Sequence, residues 1–331
     1  MKKICFKLVT VFIIIFYSKL TFSEEKNNEL NSYKGEIDKI SSTLEKKYNV
    51  DFAYSKKVLE SIKFNSQVLT LMTNAPERTF NWDEYKKIFI SKKRINDGKK
   101  YYIKNYALLK EIESKYNVPA ELIVAFLGVE TNYGKDMGSS KTLDALGTLA
   151  FKHERRSEFF KDQLINFILL TYNNKLDYNS IYGSYAGALG APQFMPSNYI
   201  KLGVDYDSNG KIDLWNNKHD IYSSVANYLK KKGEWEGKNI VYSDILIKKE
   251  YLKDIFKNGD NIILAIDDEK LNKILFKSIK QKGEKYLILL NQEKEQYKLG
   301  YKNFKAIMSY NPSVFYAMVV SDLSKAIVNL K

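Results

Sequence analysis

The sequence predicts a mainly α (α+β) protein, on three observations. Apolar residues recur at helical spacing over most of its length, as in residues 28–48 ("NELNSYKGEIDKISSTLEKKY") and 157–173 ("SEFFKDQLINFILLTYN"). Short β-branched or aliphatic runs separated by charged turns are confined to residues 238–295: "NIVYSDILI", "NIILAI" and "KYLILL". The five prolines do not cluster, and no internal repeat or low-complexity linker divides the chain.

Taken in order, the chain begins with an expected signal peptide, residues 1–23. Lys2, Lys3 and Lys7 form a positive start, Leu8 to Tyr17 an apolar run of ten, and Thr21 and Ser23 the small residues of a cleavage site. Ten apolar residues are short for a bilayer span, although an uncleaved membrane anchor is the alternative. Residues 24–115 follow as an N-terminal helical region, with "WDEYKKIFISKKRINDGKKYYIKNYALLKEIESKY" at 82–116 carrying helical periodicity. Residues 116–237 read as a core of apolar helices with a glycine-rich loop and an acidic loop, 238–295 as a small α/β insert, and 296–331 as a C-terminal segment completing the core.

The only cysteine, Cys5, lies in the charged start of the signal, without the apolar stretch that precedes a lipid-attachment cysteine. An exported chain without disulfides suits a periplasm. Formal charge is +14, and loss of residues 1–23 removes four lysines and no acid, leaving +10. A basic exported protein is drawn to a polyanion; outside the cytoplasm that argues for cell-wall polymer or anionic lipid and against nucleic acid. The 25 tyrosines suit a sugar site, where a ring stacks and a hydroxyl bonds, but most are accounted for as half-buried packing.

Three stretches can carry chemistry. In "PAELIVAFLGVETNYG" (119–134), Leu122, Ile123, Val124, Phe126, Leu127 and Val129 cover most of a helix whose lone late carboxylate is Glu130. Pro119 fits a first turn and Gly134 the position past the end. No Lys or Arg lies within one turn of Glu130 in sequence; a carboxyl in apolar surroundings can act as a general acid near neutral pH. The structural alternative is a helix-end Glu bonded to a neighbour or to solvent.

In "GSYAGALGAPQFMPSNY" (183–199), alternating small residues permit close backbone approach, and the Gln193 amide can donate and accept as sugar hydroxyl and acetamido groups require. A tight helix crossing with turns at Pro192 and Pro196 is the other reading. "DYDSNGKIDLW" (205–215) opens like an EF-hand calcium loop: Asp205, Asp207 and Asn209 alternate, Gly210 turns, and Lys211 offers a carbonyl. Asn216 stands at the twelfth position in place of a bidentate Glu, and Asp220 is the next carboxylate able to close the site. His153 and His219 have no metal-site spacing, and no organic cofactor motif occurs.

Together with "LDALGTLAF", "SVANYLKKKG", "YNPSVFYAM", "APERTFNWDEYKKIF" and "RINDGKKYY", these stretches stand in the order of a known family. The chain resembles the lytic murein transglycosylases of the membrane-bound lytic murein transglycosylase B group over nearly all of its length except about 238–295. The resemblance implies a lysozyme-like helical core with an EF-hand-like loop at 205–220. It implies cleavage of the β-1,4 bond between N-acetylmuramic acid and N-acetylglucosamine, with a 1,6-anhydro product and Glu130 as sole acid and base.

Carried over by motif, Ser184, Gln193, Tyr228, Tyr310, Asn311, Tyr316 and Tyr85 line the substrate site. Asp205, Asp207, Asn209, the Lys211 carbonyl and Asp220 hold structural Ca2+. The resemblance further implies a monomeric periplasmic enzyme whose partners are peptidoglycan glycan strands, with association with the cell-wall synthesis machinery left open. The chain departs from the family in an extra residue between Trp215 and Asp220 and in lacking the lipid-attachment Cys. Asp136 and Asp144 follow Glu130 in sequence, and the family assigns neither a catalytic role. A catalytically silent peptidoglycan-binding module, a hydrolytic muramidase and a calcium sensor are the rival functions.

Overall fold

The computed structural model describes residues 29–73, 80–237, 240–251, 263–279, 281–291 and 296–329. The signal segment and Cys5 lie outside the described residues. Elements in chain order begin with helices α1 (Lys34–Tyr48), α2 (Phe52–Glu60), α3 (Ser66–Thr73) and α4 (Trp82–Phe89). Helices α5 (Lys92–Lys104), α6 (Tyr106–Tyr116) and α7 (Ala120–Thr131) follow. Strand β1 (Ser140–Lys141), α8 (Thr142–Lys152), α9 (Ser157–Asn173), β2 (Tyr182–Gly183) and α10 (Pro196–Leu202) lead to α11 (Lys218–Lys231). Last come β3 (Tyr242–Asp244), β4 (Ile263–Ala265), α12 (Asp268–Ile274), β5 (Lys285–Asn291), β6 (Gln296–Tyr301), α13 (Lys302–Met308) and α14 (Val314–Val328).

These elements divide into two compact units. The first takes in the chain up to Met72 together with Ser139–Gly187; the second is Thr73–Gly138 with Ala188–Lys331. In the first unit, Asn49 ends α1 in the left-handed region, and the Asp51 carboxylate caps α2 by accepting from the Tyr54 N–H at 2.6 Å. Helices α8 and α9 pack against each other, and β1 joins β2 in a two-residue antiparallel ladder. Tyr33, Phe64 and Phe151 form an aromatic cluster with centroids 4.9–6.1 Å apart.

The second unit is organised around α7, which lies against α14, α5, α6 and α11. Helix α4 is fixed by a reciprocal capping box, the Asn81 and Glu84 side chains each satisfying the other's backbone N–H. Ten of the twelve α7 residues are buried, which explains its apolar surface on every side. At roughly 1.5–3 kcal/mol for each large apolar side chain removed from water, this helix is a main source of the unit's stability.

The strand-type runs form one antiparallel sheet in the order β3-β6-β5-β4, with α12 packed through Leu271 and Ile274 on Leu287 and Leu299. The sheet reaches beyond residue 295, because β6 pairs with both β3 and β5 before the chain turns into α13. Among the described residues, no helix is long and apolar enough to cross a membrane.

Candidate active site

Helix α7 sets the position of Glu130, and its ends differ from the sequence expectation. Pro119 is the N-cap, with extended backbone, rather than a first-turn residue. The helix stops at Thr131, and the left-handed cap is Asn132, at φ 50°, rather than Gly134. Tyr133 at φ 63° and Gly134 at φ 83° continue the left-handed run. Asn tolerates this region because its short polar side chain bonds locally; here Asn132 Nδ2 donates to Asp136 Oδ2 at 3.1 Å. Tyr133 has no such compensation, and L residues in this conformation cost roughly 1–2 kcal/mol each.

Thr131, only 1% exposed, ties the turn down. Its hydroxyl donates to the Ala191 carbonyl at 2.8 Å and accepts the Gly134 N–H at 3.0 Å. Its carbonyl receives the N–H groups of Lys135 and Asp136, each at 2.9 Å.

Around half-buried Glu130 stand aromatic side chains from distant parts of the chain. Tyr316, on the first turn of α14, donates its hydroxyl to Glu130 Oε1 at 2.5 Å. Tyr310 stacks on Tyr316 with ring centroids 6.4 Å apart and planes 11° from parallel, and donates to the Pro192 carbonyl at 2.5 Å. Tyr228, from α11, lies 4.5 Å from Tyr310 by centroid and donates to the Ser309 carbonyl at 2.6 Å. Phe126, one turn before Glu130 on α7, packs 4.8 Å from Tyr310.

Burial, and then the nearby Glu130 charge, push the Tyr310 and Tyr316 hydroxyls well above their usual range. Tyr228 is pushed up to about 12, burial again leading and Glu130 adding. All three therefore keep their protons at neutral pH and can only serve Glu130 and the backbone as donors or neutral walls.

The other expected site residues fall into different positions. Tyr85, only 1% exposed, lies behind the shell against Phe89 and Phe315, at 5.0 and 5.8 Å by centroid. Tyr228 and Tyr316, at 2% each, are walls rather than open platforms; Tyr310 and Asn311 are half-buried. Gln193 sits at φ 51°, and its amide nitrogen is committed to the Met137 and Gly190 carbonyls at 3.1 and 2.9 Å. What Gln193 can present to a ligand is accordingly its oxygen. Ser184 belongs to the first unit, where its hydroxyl accepts the Ala186 N–H at 3.2 Å. Asp144 is used in that unit as well, accepting the Lys63 N–H at 2.8 Å. Asp136 is exposed and receives Asn132, as above.

Sequence reasoning missed Arg94. Its guanidinium donates to the Gly128 carbonyl, so a basic residue does reach the last turns of α7 although none is near in sequence. Only the pairing of α5 with α7 brings it there.

The acidic loop gathers a second cluster. Single oxygens of Asp205, Asp207 and Asp220 all lie within 4.8 Å of one another. Gly210, at φ 84°, makes the sharp turn, and the Gly210 and Asn209 N–H groups donate to Asp205 at 2.8 and 3.1 Å. Asp220, fully buried at the start of α11, accepts the Tyr206 and Asp213 N–H groups, both at 2.9 Å. Burial first, then the charges of Asp207 and Asp205, raise the Asp220 carboxyl above the ordinary range. Three hard oxygen donors crowded at this cost make a set suited to a divalent cation such as calcium. Asn209 and Lys211 belong to the same loop, where the Asn209 side-chain oxygen accepts the Lys211 N–H at 3.0 Å. Asp213, also in the loop, instead holds the Trp215 and Asn216 N–H groups at 2.8 and 2.9 Å.

The two clusters are joined through the glycine-rich loop. The Ala191 N–H donates to the Leu214 carbonyl at 2.8 Å, while the Ala191 carbonyl receives Thr131.

Residues 33–325 match the Transglycosylase SLT domain family. The chain is 32% identical over 299 residues to membrane-bound lytic murein transglycosylase B of Escherichia coli K12, covering 85% of this chain and 79% of that protein. It is similar to the crystal structure of soluble lytic transglycosylase SltB1 from Pseudomonas aeruginosa, with TM-score 0.79 and 32% identity over 88% of this chain and 98% of that one. A third likeness is to the Escherichia coli lytic transglycosylase Slt35 in complex with calcium, with TM-score 0.76 and 32% identity over 87% and 91% of the two chains. The mainly helical, lysozyme-like fold with small sheets is the fold of these relatives. A family match across almost the whole chain and relatives at this identity give one answer: the protein belongs to the lytic murein transglycosylases, enzymes that act on peptidoglycan.

Proposed function

We propose that Glu130 is the single acid and base of a non-hydrolytic cleavage of the β-1,4 bond between N-acetylmuramic acid and N-acetylglucosamine. The observation that carries this reading is the 2.5 Å bond from Tyr316 to Glu130 Oε1 inside an aromatic wall. It orients the carboxyl by one of its oxygens within that wall.

In the first step the protonated carboxyl gives its proton to the leaving glycosidic oxygen as the bond to the muramoyl C1 breaks. The substrate's own N-acetyl group meets the positive charge that develops at C1. In the second step the Glu130 carboxylate takes the proton of the muramoyl C6 hydroxyl as that oxygen closes on C1. The ring-closed 1,6-anhydro product forms, and the acid is restored without consuming water. Attack by a tethered hydroxyl is favoured over a diffusing water because no translational freedom is lost. Gln193 and Asn311 would bind sugar hydroxyl and acetamido groups, while Tyr228, Tyr310 and Tyr316 hold the carboxyl in place.

Asp205, Asp207, Asn209, the Lys211 carbonyl and Asp220 would hold calcium, whose charge would offset the crowded carboxylates and stiffen the loop. The protein would work in the periplasm as a monomer on glycan strands, exported by the segment 1–23. Isolated sacculi test the reading: the wild-type protein should release anhydro-muropeptides, lighter by one water than the hydrolysed equivalents. Glu130→Gln should bind sacculi without releasing them. Hydrolysed fragments, or undiminished release by Glu130→Gln, would refute it.

A further inference from the structure

We propose that Tyr133 is a positioning residue for Glu130: its ring, lodged in a notch left by two glycines, holds the strained turn that fixes where the carboxyl stands. This rests on the reading of Glu130 as the acid and base.

The side chain folds back from the left-handed turn onto its own helix. A Cβ added at Gly128 would lie 2.7 Å from the Tyr133 ring, and one at Gly98 on α5 would lie 2.5 Å from the Tyr133 hydroxyl. Both helices thus give up a side chain where this ring sits. The ring is 6% exposed and stacks on Tyr101 with centroids 5.5 Å apart.

Its hydroxyl donates to the Arg94 carbonyl at 2.7 Å, and the Arg94 guanidinium returns to the Gly128 carbonyl, two residues before Glu130. Burial raises the hydroxyl's pKa, so it remains a donor at neutral pH. The circuit Tyr133–Arg94–Gly128 closes around the last turn of α7. It explains why a tyrosine, which disfavours positive φ, occupies the middle of a left-handed run: the packing of the ring offsets the backbone cost. A turn free to relax would let the Glu130 carboxyl swing against Tyr316, and small misplacements of a reacting group cost rate much more than binding.

Steady-state turnover of soluble glycan strands by four variants tests this. Tyr133→Phe keeps the ring and should hold kcat within about fivefold. Tyr133→Gly permits the same backbone without the ring and should lower kcat by roughly 10–100-fold with KM within about twofold. Gly128→Ala, which pushes the ring out, should lower kcat similarly, and adding it to Tyr133→Gly should cost little more, since the two remove one contact.

Wild-type kcat in Tyr133→Gly or in Gly128→Ala, a loss confined to KM, or full additivity would overturn the proposal. If Tyr133→Gly does not fold, Gly128→Ala and Tyr133→Phe decide it alone. The fourth variant, Glu130→Gln, separates the two readings. If it is inactive while the Tyr133 and Gly128 variants are normal, only the positioning claim fails; if it stays active, the Glu130 reading fails and the positioning claim with it.

Discussion

The shell around Glu130 and the acidic loop at 205–220 are built in opposite ways. The loop takes its three clustered carboxylates from sixteen consecutive residues and is exposed or half-buried apart from Leu214 and Asp220. The Glu130 shell draws on α5, α7, α11, α14 and the loop at Ala191, with Phe126, Thr131, Ala191, Tyr228 and Tyr316 buried and Glu130, Arg94 and Tyr310 half-buried. A local, solvated cluster can be rearranged by a cation at little cost to the fold. A non-local, packed one has a single arrangement, because interiors are close-packed and a displaced ring has nowhere to go. The contrast suggests that changes in the shell affect rate first, and changes in the loop affect stability first.

The largest effect expected is on turnover. Glu130→Gln should lower release of ring-closed fragments by at least about 10²–10⁴-fold, the range that a general acid supplies. Tyr316→Phe removes one bond to a charged acceptor and should cost roughly 10–100-fold in kcat while leaving binding of glycan intact. A Tyr316→Phe enzyme at full rate would break the claim that the shell acts through orientation.

In the loop the expected order reverses. Asp205→Ala should lower the melting temperature measured in calcium buffer and change kcat much less; calcium at a hundredfold its Kd would stabilise by about 2.7 kcal/mol, which the variant forfeits. Identical melting curves for the wild-type protein in calcium and in chelator would remove the ion from the account. The pH dependence has a definite sign. The folded-state pKa of Asp220 is raised, so without calcium the folded state binds this proton more tightly than the unfolded chain. In chelator this group's contribution is therefore present at low pH and lost as pH rises through the raised value. Calcium needs the ionised form, so the gap between calcium and chelator melting curves should widen with pH.

The smallest effect concerns the exposed pairing at the shell's outer edge. Asp97 accepts Lys93 at 2.9 Å and Lys135, just past the Tyr133 turn, at 3.0 Å, and these bonds pull its carboxyl down to about 2. Its stabilisation is present above the ordinary carboxylate pKa and lost as pH falls toward about 2. Asp97→Asn should lower the melting temperature slightly at low salt, and the difference should vanish at high ionic strength, because exposed pairs are screened.

How far each region was legible follows from the same contrast. Asp205, Asp207 and Gly210 announce their loop because a tight turn around a cation needs fixed offsets along one strand of chain. Even there Asp213 gave no sign that it would cap the turn at Trp215 and Asn216. In the shell, the all-round apolar face of 120–131 marked Glu130 as unusual, and family motifs pointed to Tyr228, Tyr310 and Tyr316. Arg94 was illegible, because its contact with Gly128 spans 34 residues and depends on two helices packing. The left-handed run was misplaced by two residues, because Gly134 is the obvious breaker while Asn132 ends the helix through side-chain bonding.

By itself, the sequence determined the elements whose cause is local: helices from apolar period, strands from short aliphatic runs, and a carboxylate loop from spacing. The tertiary structure alone decided which hydroxyl meets Glu130, that the Gln193 amide nitrogen is spent on backbone, and that a tyrosine fills the space two glycines leave. The physical reason is range. Backbone sterics and turn chemistry act over a few residues, whereas burial and hydrogen-bond satisfaction are settled only when distant segments exclude water together.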